Sequence, residues 1–317
     1  MVAPRLSRLL LPLLLGAACA TPPAPPPAPP PAVHPPCATV RECLAACASG
    51  GVRACTLAAE RLRYGSGTSR DMPRAERLFR QACEAQDGLA CAGLGWVAQG
   101  PEAEASFHRA RPLLTAACAL DDAEACVSLG LLLLGGRGGA EAPAEGEAQV
   151  RRGLELLTAA CQSGSGAACV RAATLFEAGP EPVRDDSRAL VYLRKGCDAG
   201  VAGGCTALAL RYLTGRGVEL DRARALALYK QVGEHYRASC EAGEPTACVE
   251  LGQAFARGQG VPMDVARALA YEEKACALGE PAACASAAQR LRQGAEGVTP
   301  DAARASALEA RAETMLD

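Results

Sequence analysis

Small and apolar positions recur along most of the chain with a helical period. They are best seen by counting from a second, regularly placed cysteine in each segment. Three residues after it stand Leu94, Leu129, Ala172, Leu208, Leu251 and Ala287. One further on are Gly95, Gly130, Ala173, Ala209, Gly252 and Ala288, and at seven Ala98, Leu133, Phe176, Tyr212, Phe255 and Leu291. Offsets of 0, 3, 4 and 7 lie on one face of an α-helix. A second helix precedes each of these. Val265 to Cys276 shows it clearly, being alanine-rich with no internal Gly or Pro. The pattern therefore predicts a repeated pair, helix A followed by helix B, with no strands.

Capping residues stand where this division needs them. Asp71, Asp185 and Asp264 each lie twelve residues before a first cysteine, at the N-cap site of helix A. Asp87, Asp122 and Ser165 suit the N-cap of helix B, and Pro245 and Pro281 its first turn. Gly215 with Gly217, and Gly258 with Gly260, are placed to end helix B in left-handed turns.

The cysteines set the register. Cys47 with Cys55, Cys83 with Cys91, Cys118 with Cys126, Cys161 with Cys169, Cys197 with Cys205, Cys240 with Cys248 and Cys276 with Cys284 are all C-x7-C. They fall near the end of helix A and in the first turn of helix B, so a bridge closes each hairpin. Such a loop of about nine residues contributes on the order of 2.5 kcal/mol through chain entropy. Cys37 and Cys43 remain and can pair with each other, although sequence does not fix connectivity. Zinc sites use tighter spacings, so these are read as disulfides and not as metal ligands.

Successive first cysteines are 36, 35, 43, 36, 43 and 36 residues apart. The first long interval is expected to place its extra residues in a loop, Gly135–Gly146. The second is expected to lengthen helix A by about two turns, projecting Tyr229, Glu234 or His235 from one edge.

The N-terminus has a different character. Arg5 and Arg8, the apolar run Leu9–Leu15 and small residues before Cys19 form a secretory leader over 1–18. Its end is similar to a bacterial lipobox, which implies lipidation at Cys19. Gly16 stands where that motif usually has Leu, and ordinary cleavage after Ala18 or Ala20 is the rival reading. Residues 19–36 are expected to act as a proline-rich tether, the sixteen from Thr21 to Pro36 reaching roughly 50 Å when extended. The repeats then occupy 37–317, about seven of them plus a C-terminal capping helix. Of 17 cysteines, 16 remain beyond Cys19, an even number suited to an oxidising, exported setting.

Charge alters little. The net value is −2, aromatics are 3% of residues, and no basic run exists, so nucleic acid is not an expected partner.

The segments Lys274-Ala-Cys276 to Glu280-Pro-Ala-Ala-Cys284, and Leu251-Gly252 through Phe255, Gly258, Gly260, Val261 and Asp264, resemble the consensus of Sel1-like repeats, in their cysteine-rich secreted branch. The resemblance spans about Cys37 to Asp317. It weakens at Ala172-Ala173, where Leu-Gly is replaced. It implies an all-α fold, a right-handed superhelical α-solenoid of stapled αα-hairpins with a concave groove. It also implies an adaptor that binds a protein or peptide at the bacterial envelope, periplasmic or cell-surface. Some cysteine-rich relatives are described as penicillin-binding or as slow β-lactamases.

That enzymatic reading meets no support among the residues. No Ser stands three before Lys195, Lys230 or Lys274, and Lys-Thr-Gly and Ser-Asp-Asn are missing. His34, His108 and His235 are far apart in sequence. No catalytic residue, metal or cofactor is therefore assigned. The expected binding groove lies along helix A, with Tyr192, Arg194, Tyr229, Tyr271 and Glu272 as its exposed candidates. Tyr192 and Tyr271 share a slot that is Leu78, Leu113 or Leu156 elsewhere, which favours packing for those two. Peptidoglycan fragments are the alternative ligand, and the lipid at Cys19 the link to the membrane.

Overall fold

The computed structural model describes residue 37 and residues 39–65 and 70–315. The leader, Cys19, His34 and the tether lie outside the described residues.

The described residues pair into seven hairpins. These are α1 (Val40–Ala48) with α2 (Val52–Tyr64), α3 (Met72–Glu84) with α4 (Gly88–Val97), and α5 (Pro101–Ala119) with α6 (Ala123–Leu134). Then come α7 (Pro143–Gln162) with α8 (Gly166–Ala178), α9 (Asp186–Asp198) with α10 (Ala202–Thr214), α11 (Arg222–Glu241) with α12 (Pro245–Arg257), and α13 (Val265–Ala277) with α14 (Pro281–Gln293). A last helix, α15 (Ala302–Thr314), packs on α14. Odd-numbered helices are the A helices and even-numbered ones the B helices. Each B helix packs on its own A helix and, more extensively, on the A helix that follows. The result is an α-solenoid of disulfide-stapled hairpins.

Eight bridges staple it. Seven join the C-x7-C pairs. Their Cα–Cα separations are 4.4 Å at Cys197 and Cys205, 4.5 Å at Cys83 and Cys91, and 4.6 Å at Cys118 and Cys126. The separation is 4.7 Å for Cys47 with Cys55, Cys161 with Cys169, Cys240 with Cys248, and Cys276 with Cys284. Cys37 and Cys43, 5.0 Å apart, tie the preceding chain to α1. All sixteen cysteines are buried. The buried bridges compensate for the limited apolar burial of thin, alanine-rich helices.

The second cysteine of a pair sits over the end of helix A. The Sγ atoms of Cys91, Cys126, Cys169 and Cys248 lie 3.6, 3.6, 3.7 and 3.6 Å from the carbonyl oxygen of their partner cysteine. A bridged sulfur carries no proton, so these are packing contacts and not donated hydrogen bonds.

The link between hairpins recurs. Asp71, Asp185, Asp221, Asp264 and Asp301 each accept a backbone N–H from the third residue of their helix. The backbone N–H of the same aspartate donates to a carbonyl seven residues past the second cysteine: Leu62, Phe176, Tyr212, Phe255 or Leu291. One residue thus caps the next helix and closes off the previous one. Arg188, Arg224 and Arg267 then lie over the rings of Phe176, Tyr212 and Phe255 at 5.7, 5.6 and 5.5 Å.

Two expectations are corrected. Gly135–Gly146 is not all loop, because α7 starts at Pro143. Pro at N1 followed by good helix formers begins the helix early, so the long interval lengthens helix A here too. In α11 the added turns do not project Tyr229. The loop after α12 folds back on them. A Cβ on Gly260 (φ +75°) would lie 2.4 Å from the Tyr229 carbonyl carbon, so only glycine fits. Tyr229 is half-buried, whereas Glu234 and His235 are exposed.

The stack also meets itself. Arg41 Nη1 in α1 donates to the Leu278 carbonyl at the end of α13, 2.7 Å away. Arg311 of α15 reaches the adjacent Ala277 carbonyl at 3.2 Å. The first hairpin thus contacts the turn of the seventh beside α15.

Candidate functional site

The five A-helix candidates do not form a groove. Tyr192 and Tyr271 are half-buried and stack on Phe176 and Phe255, with ring centroids 5.4 and 5.5 Å apart. Both lie between one B helix and the next A helix. Burial raises the Tyr229 hydroxyl above its ordinary value. Arg194 is exposed but donates to the Tyr212 hydroxyl at 3.2 Å, which lowers that phenol's pKa. Glu272, expected to be exposed, is 4% accessible. Residues on this side of helix A face the neighbouring B helix, so polar and aromatic side chains there serve hairpin packing. Only Glu272 borders a cleft.

The bridged cysteines are buried, and among them Cys205 borders a small recess with Gln231, Val232 and His235. Cys91, Cys169 and Cys248, in the first turns of α4, α8 and α12, are closed to solvent with their partners Cys83, Cys161 and Cys240. Their role is to hold hairpins together.

One open lane runs along the B helices. Five residues past the second cysteine come Glu60, Trp96, Leu131, Thr174, Leu210, Gln253 and Gln289. All are exposed except Gln253, which is half-buried. Trp96, Leu131 and Leu210 leave 47%, 41% and 54% of their surface to solvent, although they belong to large apolar types. Sequence reasoning missed this lane because its residues share no chemistry from hairpin to hairpin. The signal was that variability itself, at one fixed offset beside invariantly small neighbours.

A ladder of charges accompanies the lane through the first four hairpins. Arg53 of α2 lies 3.8 Å from Asp87 and 3.7 Å from Asp122, the N-cap residues of α4 and α6. Thr56 donates to Asp87 at 3.1 Å. Glu124 of α6 accepts three hydrogen bonds from Arg171 of α8, at 2.7–2.9 Å. Glu60 is accessible to water, yet protein crowded around its carboxyl raises its pKa; Glu124 adds to this, while Arg53 and Arg171 oppose it. Charges on the first, third and fourth hairpins therefore act on one another.

The C-terminal hairpins offer a different feature. A cleft of about 300 Å³ opens between α12 and α14, lined by Val249, Gln253, Ala282, Ala285, Ser286 and Gln289, with Glu272 of α13 at its floor. Burial raises the Glu272 carboxyl above the ordinary range, and Arg290 offsets part of that. In the hairpin before, Tyr236 takes the corresponding floor position and is pushed up to about 12 by burial, with Glu250 adding to the shift.

Among the described residues no group of three or more His, Cys, Asp or Glu is arranged to hold a metal ion. No helix among them is long and apolar enough to cross a membrane. Eight buried disulfides fit an oxidising, exported environment.

Fold and stapling define the class: a repeat solenoid of αα-hairpins. The Sel1 repeat model matches residues 52–87, 123–165, 166–201, 202–232 and 245–280. The chain belongs to the Sel1 repeat family. Residues 88–122 are not matched, although they supply α4 and the long α5 of the same stack. No curated protein matches the chain. Among solved structures it is similar to c5321, a protective antigen present in uropathogenic Escherichia coli strains and displaying an SLR fold. Identity is 20%, with 88% of this chain and 65% of that one covered, and the TM-score is 0.39. The chain thus spans about 65% of that antigen's length. A Sel1 repeat protein from Oxalobacter formigenes is 24% identical, over 87% of this chain and 76% of that one, with a TM-score of 0.42. The immunity protein Pa5087 from Pseudomonas aeruginosa is 15% identical, over 66% and 74%, with a TM-score of 0.39.

Proposed function

We propose that this protein is an exported adaptor, lipid-anchored through Cys19 at a bacterial envelope, that holds a polypeptide partner along the B-helix face. The observation carrying this reading is the exposed lane Glu60, Trp96, Leu131, Thr174 and Leu210, flanked by the Arg53 and Glu124–Arg171 ion pairs. Large apolar side chains left open beside oriented charges are the composition of an interface: anchors with a polar rim. Helical repeats present such faces to extended partners. Export and anchoring rest on the leader, the lipobox-like end and the even cysteine count.

A photo-crosslinking residue at Trp96 or Leu131, in cells carrying the full chain, is expected to capture a polypeptide; one at the exposed Glu234 of α11 is not. Equal capture at both places, or none at Trp96 and Leu131, sinks the reading. For the anchor, Cys19→Ala is expected to abolish fatty-acid labelling and to move the protein out of the membrane fraction.

A further inference from the structure

The floor of the α12–α14 cleft breaks a rule that the rest of the molecule keeps. Four residues before the first cysteine, helix A carries Phe79, Leu114, Leu157 and Leu193 in the second to fifth hairpins, all buried. The first hairpin has the bridged Cys43 there, and the sixth has Tyr236. Only in the seventh is the slot filled by a carboxylate, Glu272, and there a cleft opens above it. Folding does not require this. Leu114 with Leu132, and Leu157 with Leu175, fill the positions of Glu272 and Arg290 in other hairpins, and both pairs are buried. An apolar pair in such a place is commonly at least as stable as a buried ion pair.

The pair is also incompletely used. Arg290 reaches both Glu272 oxygens through Nε, at 3.0 and 2.8 Å. Each carboxylate oxygen accepts up to two hydrogen bonds, so capacity remains toward the cleft. Gln253, Gln289 and Ser286 on the walls are neutral, which leaves Glu272 as the charged group of the lining. An anion would be repelled there. An apolar group would leave the carboxylate desolvated. Ala282, Ala285 and Val249 keep the walls slender and apolar, as a methylene stem requires. A compact ammonium has three donors, and the Glu272 carboxylate and the side-chain amide oxygens of Gln253 and Gln289 line the same cleft as acceptors.

From this geometry we infer that the cleft is a binding pocket for a lysine side chain of the polypeptide partner, held by Glu272 with Gln253 and Gln289. This rests on the polypeptide reading above and names one residue type that the partner presents.

The test uses the full chain and two synthetic peptides, acetyl-Ala-Ala-Lys-Ala-Ala-amide and its norleucine counterpart. Titration calorimetry is expected to show the lysine peptide favoured by at least about tenfold, the scale of one charge-assisted contact. In the variant Glu272→Leu with Arg290→Leu, which copies the pairs of the third and fourth hairpins, the preference disappears while the melting temperature is kept. No measurable preference in the wild type, or a preference surviving in the double variant, overturns the inference. Crosslinking at Trp96 does not involve residue 272. Capture there without a lysine preference removes only the pocket assignment, and a lysine preference without capture removes the polypeptide reading.

Discussion

The first four hairpins and the last two use charge in opposite ways on the same scaffold. In the first four, ion pairs run between hairpins: Arg53 to Asp87 and Asp122, and Arg171 to Glu124. Each ties one B helix to another, and the surface between them is bridged. In the seventh hairpin, Arg290 pairs with Glu272 of its own A helix. Two further ion pairs, Arg292 to Glu309 and Glu273 to Arg304, run to α15; among the described residues none joins α12 to α14, and those two stand apart as a cleft. Repeats alike in backbone therefore become either a continuous face or a pocket, according to whether an arginine reaches sideways or downward.

The glycines at the helix crossings show the same contrast. A Cβ on Gly130 of α6 would sit 2.6 Å from the Gly146 carbonyl oxygen of α7, whereas on Gly252 of α12 its nearest neighbour is the Ala268 oxygen at 3.3 Å. The crossing beneath the continuous face is closed to one methyl group, and the one beneath the cleft has more room.

Breaking this contrast gives a graded series. Arg290→Leu alone strands Glu272 in the core and should cost about 3–5 kcal/mol in denaturant unfolding. Adding Glu272→Leu should recover nearly all of it. If the single variant is as stable as the wild type, the pair is not the buried ion pair described. Removing one staple, Cys118→Ala with Cys126→Ala, should cost on the order of 2.5 kcal/mol, and the same change at Cys276 and Cys284 a similar amount, since both loops are equally long. Gly130→Ala should cost about 1–3 kcal/mol through overpacking, and Gly252→Ala well under half of that; equal losses would erase the contrast between crossings. Smallest is Arg171→Met, expected to cost about 0.2–1 kcal/mol and to lose its effect at high salt, because that pair is partly exposed.

A pH series sharpens the pocket side. The Glu272 carboxyl is raised in the folded state above its unfolded value of 4.5. The folded protein then holds a proton that the unfolded chain has already lost. Its contribution is complete below 4.5 and disappears as pH rises through the raised value. Arg290 and the neighbouring Glu273 set how far that window extends. Compared with the Leu/Leu variant, the wild type should therefore gain stability on acidification, as thermal melts would record. Lysine preference should move the other way, fading as Glu272 takes up its proton.

Much of this architecture is legible in the chain because it is local. Asp185, Asp221 and Asp264 cap helices through bonds three residues long, and C-x7-C closes a hairpin within nine residues. The functional face is less legible. Tyr192 and Tyr271 look like surface anchors on helix A, but the Phe176 and Phe255 rings that cover them belong to the preceding B helix. Glu272 resembles any charged helical residue until its slot is compared with Leu114, Leu157 and Leu193. The B-helix lane has no shared residue type, so it emerges only when seven helices are set side by side.

The contact between Arg41 and Leu278 has a kinetic consequence. Nearly everything else in the stack joins residues within a few turns or one hairpin of each other, so little chain entropy is lost as each piece forms. This hydrogen bond spans 237 positions. Its closure demands that every intervening hairpin already be in place, because only a completed stack brings the two partners together. It closes only after the hairpins have stacked, and its rupture leaves all eight staples and all seven hairpins as they were.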